Sequence, residues 1–191
     1  MVGAPQAEMI VSRMDLTGVN RVLDVGGGSG SYTMAFLKAR PEIRVSLFDL
    51  PEVTSLAAER LRPAGLLDRV DLIPGNYYHD ALPSGHGLAF LSAIIHQNSP
   101  EQNRALFRKV LDSLAPRGRI VIRDHVMSPD RTSPKAGALF AINMLVNTEG
   151  GGTFTFDEIS DWLLKAGFVH PRLINEGGDR MDGLVEAEKP A

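Results

Sequence analysis

The chain has no cysteine in 191 residues, which excludes disulfides and any metal site built on thiolates. Such a chain suits a reducing compartment, and a cytoplasmic location is the expectation. A basic block is also missing. Lys and Arg number 20 against 23 Asp and Glu, for a formal net charge of −3, so neither nucleic acid nor an anionic membrane is expected as a partner. No apolar run is long enough to span a bilayer, and residues 1–20 carry Glu8, Arg13 and Asp15, unlike a signal peptide. Repeats and low-complexity tracts are absent. His79, His86 and His125 show no metal-ligand spacing, and no metal is assigned. What remains is a balanced composition, 43% hydrophobic and 23% charged, in a length that suits one domain with a full core over 1–191.

Alternating apolar strands and periodic helices organise that length. Residues 6–16 place Met9, Ile10, Arg13 and Met14 at helical spacing before Gly18, which predicts a helical lead-in over 1–20. Strands are predicted at 21–25, 43–48, 69–73, 88–95 and 119–123. Helices are predicted at 31–39, 51–61 and 100–114, the second opening on Pro51 and the third after Ser99. An apolar helix at 136–147 lies in an insertion, 126–152, that a minimal alternating fold does not need. After a helix at 156–165, strands near 168–174 and 183–188 are close enough to pair antiparallel. The expected fold is α/β: a Rossmann-like doubly wound sheet, mostly parallel, seven strands in the order 3-2-1-4-5-7-6, helices on both faces.

The stretch Arg21 to Ser31, RVLDVGGGSGS, breaks a buried strand into four glycines. Glycine lets the backbone bend through positive φ and lets a ligand lie on bare main chain, near amides that open the next helix. A dinucleotide turn wants G-x-G-x-x-G, but the third position here is Ser31. The spacing that fits is D-x-G-x-G-x-G, on Asp24, Gly26, Gly28 and Gly30. It resembles the motif of S-adenosylmethionine (SAM) methyltransferases with a Rossmann-like fold. A ligand without pyrophosphate needs no phosphate cradle, and Asp24 can meet its α-amino group.

In an open α/β sheet, ligands sit beyond the carboxyl ends of the strands, so several strand ends can be read as one site. Asp49, after strand two, can accept both hydroxyls of a ribose. Asn76 and Tyr77, after strand three, offer an amide for an adenine edge and a ring for stacking, or else form a turn with a half-buried ring. His96, after strand four, could take a proton from an attacking hydroxyl, or be a loop histidine bonded to a carbonyl. Asp124, after strand five, could orient the His96 ring, or pair with a surface arginine. Phe140, Met144 and Leu145 share helical spacing and suit either core or pocket lining.

Taken together, LDVGGGSG (23–30), FDLPEV (48–53), GNYY (75–78), AIIH (93–96), LAPRGRIVIRD (114–124) and FTFDEISDWLLKAGF (154–168) resemble the class I SAM-dependent O-methyltransferases of the plant caffeic acid and bacterial polyketide type. The likeness runs over about residues 15–190. It implies that Gly26, Gly27, Gly28 and Gly30 line SAM and that Asp49 and Leu50 hold its ribose and adenine. Asn76 and Ser92 stand where the family has an aspartate and a lysine. The family's basic histidine falls on His96 and its flanking acid on Asp124, usually a glutamate. Gln97-Asn98 replaces the usual Asp-Trp, and Thr153 stands at a second flanking glutamate. Members usually carry an N-terminal dimerisation domain. Only about 20 residues precede strand one, so the expectation is a catalytic domain without it, with the oligomeric state open.

The expected function is methyl transfer from SAM to a hydroxyl of a small molecule, with His96 as base, Asp124 its partner, and Phe140 and Met144 at the acceptor. Two other readings stand beside it: a SAM-binding module with altered chemistry, and a nucleotide-dependent oxidoreductase.

Overall fold

The chain's apolar runs form the middle of a seven-stranded sheet in the computed structural model, which describes residues 3–191. Helix α1 (Ala4–Val11) precedes β1 (Arg21–Val25), α2 (Ser31–Ala39), β2 (Arg44–Asp49), α3 (Pro51–Leu61) and β3 (Val70–Pro74). Then come β4 (His86–Ser92), α4 (Pro100–Ser113), β5 (Leu114–Asp124), β6 (Val126–Met127), α5 (Lys135–Asn147), β7 (Phe154–Thr155), α6 (Phe156–Ala166), β8 (Val169–Asn175) and β9 (Gly183–Glu188). The sheet runs β3-β2-β1-β4-β5-β9-β8, with β1 to β5 parallel and β9 antiparallel to both neighbours. Counting only the strands of this sheet, the order is the expected 3-2-1-4-5-7-6. Strands β6 and β7 pair separately, in parallel, and bracket the insertion.

Both faces of the sheet are covered, so the central strands are buried on alternating sides. Leu23, Val25, Leu91 and Ile122 pack with α4 and α6, while Val22, Val45, Phe90 and Val121 pack with α1, α2 and α3. Helix α4 opens on a capping box, Ser99 with Gln102, and α6 on another, Thr155 with Glu158. These reciprocal side-chain bonds satisfy amides that a helix start leaves free.

Three boundaries differ from the sequence reading. The lead-in helix stops at Val11 because Ser12 bonds back to Met9 and Asp15 accepts from the Thr17 amide, which is turn chemistry. Met14 and Leu16 are buried without being helical. Strand β4 ends at Ser92, since Ala93 has φ 58° and turns the chain. Strand β5 begins at Leu114 and passes through Pro116 and Gly118. Arg117, with φ 60°, and a register shift against His86 and Leu88 absorb those residues.

Phe36 is fully buried and meets Phe90 edge-on at 5.4 Å. Phe36→Ala is expected to lower stability by about 3–5 kcal/mol, read as a reduced urea midpoint at unchanged slope.

Candidate functional site

The bend after β1 is hydrogen-bonded to the end of β2 through the amides of Gly26, Gly27 and Gly28. The Gly26 amide donates to Phe48 O at 2.8 Å, and the Gly28 amide donates to Asp49 Oδ2 at 2.8 Å. Gly26, Gly28 and Gly30 have φ of 64°, 56° and 78°, a region that L side chains rarely enter. Space supplies the other constraint. A Cβ at Gly26 would lie 2.4 Å from Ile94 Cδ1, and one at Gly27 would lie 2.7 Å from Leu47 Cγ. At Gly28 nothing stands within 4 Å, so bare main chain faces open space.

Two adjoining cavities flank this bend. One, of about 220 Å³, is lined by Asp24, Gly26, Gly27, Gly28, Ser29, Ser31, Tyr32, Ser92 and Ala93. The other, of about 310 Å³, is lined by Gly26, Asp49, Leu50, Gly75, Asn76, Tyr77, Tyr78, Ile94 and Gln97. Together they fall in the range of small-molecule sites, roughly 300–1,000 Å³. Every residue expected at a cofactor lines one or the other except Gly30, which serves as N-cap of α2. The side chain of Asn76 accepts the Tyr78 amide at 2.9 Å, so this residue forms a turn as well as cavity wall.

The electrostatics of the bend are set by two acids. Asp24 is 1% exposed and accepts from Thr33 Oγ1 at 2.7 Å. Burial pushes its carboxyl up to about 6; the Thr33 bond opposes the rise and the Asp49 charge adds to it. Asp49 Oδ1 also accepts the Leu50 amide at 2.8 Å. Arg60 of α3 donates to the hydroxyls of Ser29 and Ser31, at 2.8 and 3.0 Å, and so braces the bend from outside.

The turn at Ala93 swings the chain into a 3-10 turn, Ile95–Gln97, that carries His96. His96 Nδ1 lies 3.0 Å from each oxygen of Asp124, whose side chain is buried at the end of β5. Asp124 Oδ1 accepts the His125 amide at 2.8 Å as well. This carboxylate partners a histidine, and the surface-arginine reading of Asp124 does not hold. A carboxylate at Nδ1 favours the tautomer with its proton there, leaving the Nε2 lone pair free. The Phe140 ring stands edge-on to His96 at 4.9 Å, and Met144 is buried one turn further along α5. Leu145 is 77% exposed and belongs to neither core nor pocket. Helix α5 is apolar over most of its circumference apart from the exposed pair Asn143 and Asn147, and only the side with Gly137 and Met144 is turned inward. Among the other histidines, His86 is buried against Ser46 at 2.9 Å and burial lowers its pKa; His125 is likewise held down by burial.

Sequence reasoning missed several participants. Gln97 Nε2 donates to the Tyr77 hydroxyl at 2.6 Å, and the Tyr78 hydroxyl donates to Asn98 Oδ1 at 2.5 Å. Gln97 and Asn98 appear in the sequence only as departures from the family pattern, and nothing local pairs them with Tyr77 and Tyr78, 20 positions away. Thr153 is 3% exposed, and the Gly152 amide beside it donates to His96 O at 2.8 Å. A third cavity, of about 680 Å³ between Val126–Lys135 and Glu176–Asp179, shares no residue with the other two.

Because the folded state holds the Asp24 proton more tightly than the unfolded chain, stability should fall as pH rises from about 4 to about 6. The loss is up to ~3 kcal/mol and complete above that window. In Asp24→Asn this contribution should vanish, so stability at pH 4.5 relative to pH 7.5, read from melting curves, should be lower in the variant than in the parent.

An O-methyltransferase domain model matches residues 5–169. The 3-hydroxy-5-methyl-1-naphthoate 3-O-methyltransferase of Streptomyces sahachiroi is 35% identical over 183 residues, covering 96% of this chain and 53% of that protein. The demethylspheroidene O-methyltransferase of Cereibacter sphaeroides is 36% identical over 188 residues, covering 97% of this chain and 48% of that protein. Among solved structures, PigF with SAH, a methyltransferase known from Serratia, superposes with a TM-score of 0.88 at 29% identity, over 97% of this chain and 55% of that one. The chain spans about half the length of the relatives it matches. With its sheet order, its glycine bend and this match over most of its length, the chain belongs to the O-methyltransferase-domain family.

Proposed function

We propose that the chain binds S-adenosylmethionine at the glycine bend and directs methyl transfer to a hydroxyl of a small-molecule acceptor. The observation that carries this reading is the pairing of bare main chain at Gly28 with two carboxylates, Asp24 and Asp49, in adjoining cavities. Such a site suits a nucleoside bearing positive charge and repels a pyrophosphate. SAM, when bound, supplies an electrophilic sulfonium methyl group.

The chain's own residues divide the remaining work. Asp24 faces the amino-acid end, with the bare main chain of Gly26 to Gly28 and the Ser92 side chain beside it. Asp49 holds the ribose hydroxyls through charge-assisted hydrogen bonds. Leu50, Asn76 and Tyr77 flank the adenine. His96 Nε2 accepts the proton of the acceptor hydroxyl, and Asp124 stabilises the imidazolium that results. Phe140 and Met144 bring α5, and with it the 126–152 segment, to the acceptor side. With SAM bound, these residues would act chiefly by positioning the acceptor hydroxyl toward the methyl group it supplies. The second reading, a SAM-binding module without transfer, draws on Thr153, which puts a hydroxyl where the family has an acid.

Calorimetry with SAM tests the cofactor assignment. Asp49→Ala should raise the dissociation constant more than tenfold, a loss of about 1.5–3 kcal/mol, and an unchanged constant contradicts the ribose assignment. No melting-temperature rise with saturating SAM, together with a rise with NADH, would favour the oxidoreductase reading. His96→Ala should keep SAM affinity within about twofold and slow label transfer from methyl-labelled SAM to a phenol and polyketide panel by about 10²–10⁴-fold. Binding without product across the panel in the parent protein would favour the module.

A further inference from the structure

Two loops 20 residues apart in sequence are stitched together beside the bend. The loop of residues 75–80 forms one wall of the larger adjoining cavity, with Asn76, Tyr77 and Tyr78. The 3-10 turn Ile95–Gln97 carries His96. Gln97 bonds the Tyr77 hydroxyl at 2.6 Å and Asn98 bonds the Tyr78 hydroxyl at 2.5 Å, two parallel ties between neighbouring residues on each side.

Both sides are anchored so that movement is transmitted and not absorbed. On the loop side, Lys109 Nζ of α4 donates to the carbonyls of Tyr77, Tyr78 and Asp80 at 2.9, 3.1 and 3.0 Å. The Tyr77 and Tyr78 rings are 4.6 Å apart. On the turn side, Asn98 Nδ2 donates to Asn103 Oδ1 at 3.0 Å, and Asn103 Nδ2 donates to Ile95 O at 2.9 Å. Asn98 and Asn103 are fully buried. Their polar groups have no solvent to fall back on, so the chain from the Tyr78 hydroxyl to Ile95 O is costly to leave half made.

We infer that Gln97 and Asn98 are positioning residues that latch the cofactor loop to the histidine turn, so that filling the nucleoside cavity fixes the place of His96. The inference rests on the proposed SAM site. A ligand that orders Tyr77 and Tyr78 orders their partners, and the coupling is reciprocal: a settled histidine turn favours the ligand-bound loop. Gln97-Asn98, which departs from the family's Asp-Trp, is on this account the means by which this chain holds its histidine turn.

Amide hydrogen exchange of the whole chain, with S-adenosylhomocysteine as probe, tests the latch. The Gln97 and Asn98 amides each donate within the turn at 3.3 Å and report its opening. In the parent protein, saturating probe should slow their exchange about tenfold or more. In the double variant Tyr78→Phe with Gln97→Leu, at a probe concentration that calorimetry shows to saturate the variant, the slowing should drop below about twofold. Tyr77→Phe, which keeps the ring and removes one hydroxyl, should lie between. Gln97→Glu, whose carboxylate can accept from the Tyr77 hydroxyl, should retain the parental response. A merely structural role would speed exchange equally with and without probe. The latch is overturned if the double variant responds like the parent, or if the parent binds the probe and its turn does not respond. Failure of the parent to bind the probe overturns the cofactor site itself, and the latch with it.

Discussion

The Asp49 carboxylate is the point on which the site depends. One oxygen accepts the amide of Gly28 and the other the amide of Leu50, so a single side chain ties the bend after β1 to the start of α3. The bend is a glycine-rich run, expensive in entropy to order, and Asp49 adds to the bonds that Phe48 O and Arg60 make to it. Steric closeness of Leu47 and Ile94 to the would-be Cβ positions completes the restraint. The geometry that exposes main chain to a ligand is therefore the geometry the packing enforces, and any change at Asp49 acts on the free protein as well as on binding.

A comparable economy holds at the histidine. Asp124 is buried at the end of β5 and accepts from both the His96 ring and the His125 amide. The ring is thus referred to a central strand, although His96 itself sits on a turn. Local turns place chemical groups where rigid strands end, which is why an open sheet collects its site at one edge.

Much of this was legible in the sequence, and the failures have physical causes. The glycine bend and the alternation of strands and helices are local patterns, and right-handed crossovers make them a doubly wound sheet; the full strand order and the pairing of His96 with Asp124 are what the family resemblance implies. The apolar run 88–95 was read as one strand because hydrophobicity does not distinguish a buried strand from a buried turn; Ile94 and Ile95 are apolar because they pack, with Ile94 against Gly26. Pro116 and Gly118 suggested a break that an irregular register absorbs. Leu145 lies on a helix whose apolar residues extend well beyond its inward side, where periodicity carries little direction. The ties between Tyr77, Tyr78, Gln97 and Asn98 join distant positions through polar side chains, and composition gives no sign of such pairs.

The placement of β9 between β5 and β8 bears on how the chain reaches its native state. Until residues 183–188 have been synthesised, the backbone edge of β5 over 119–124 lacks its neighbour, and β8 has no strand to join. A nascent chain can therefore assemble its first five strands yet still present an open edge to its surroundings. Closure of that edge waits on β9, which follows β8 in the chain, so the sheet is completed only after its first five strands can pair.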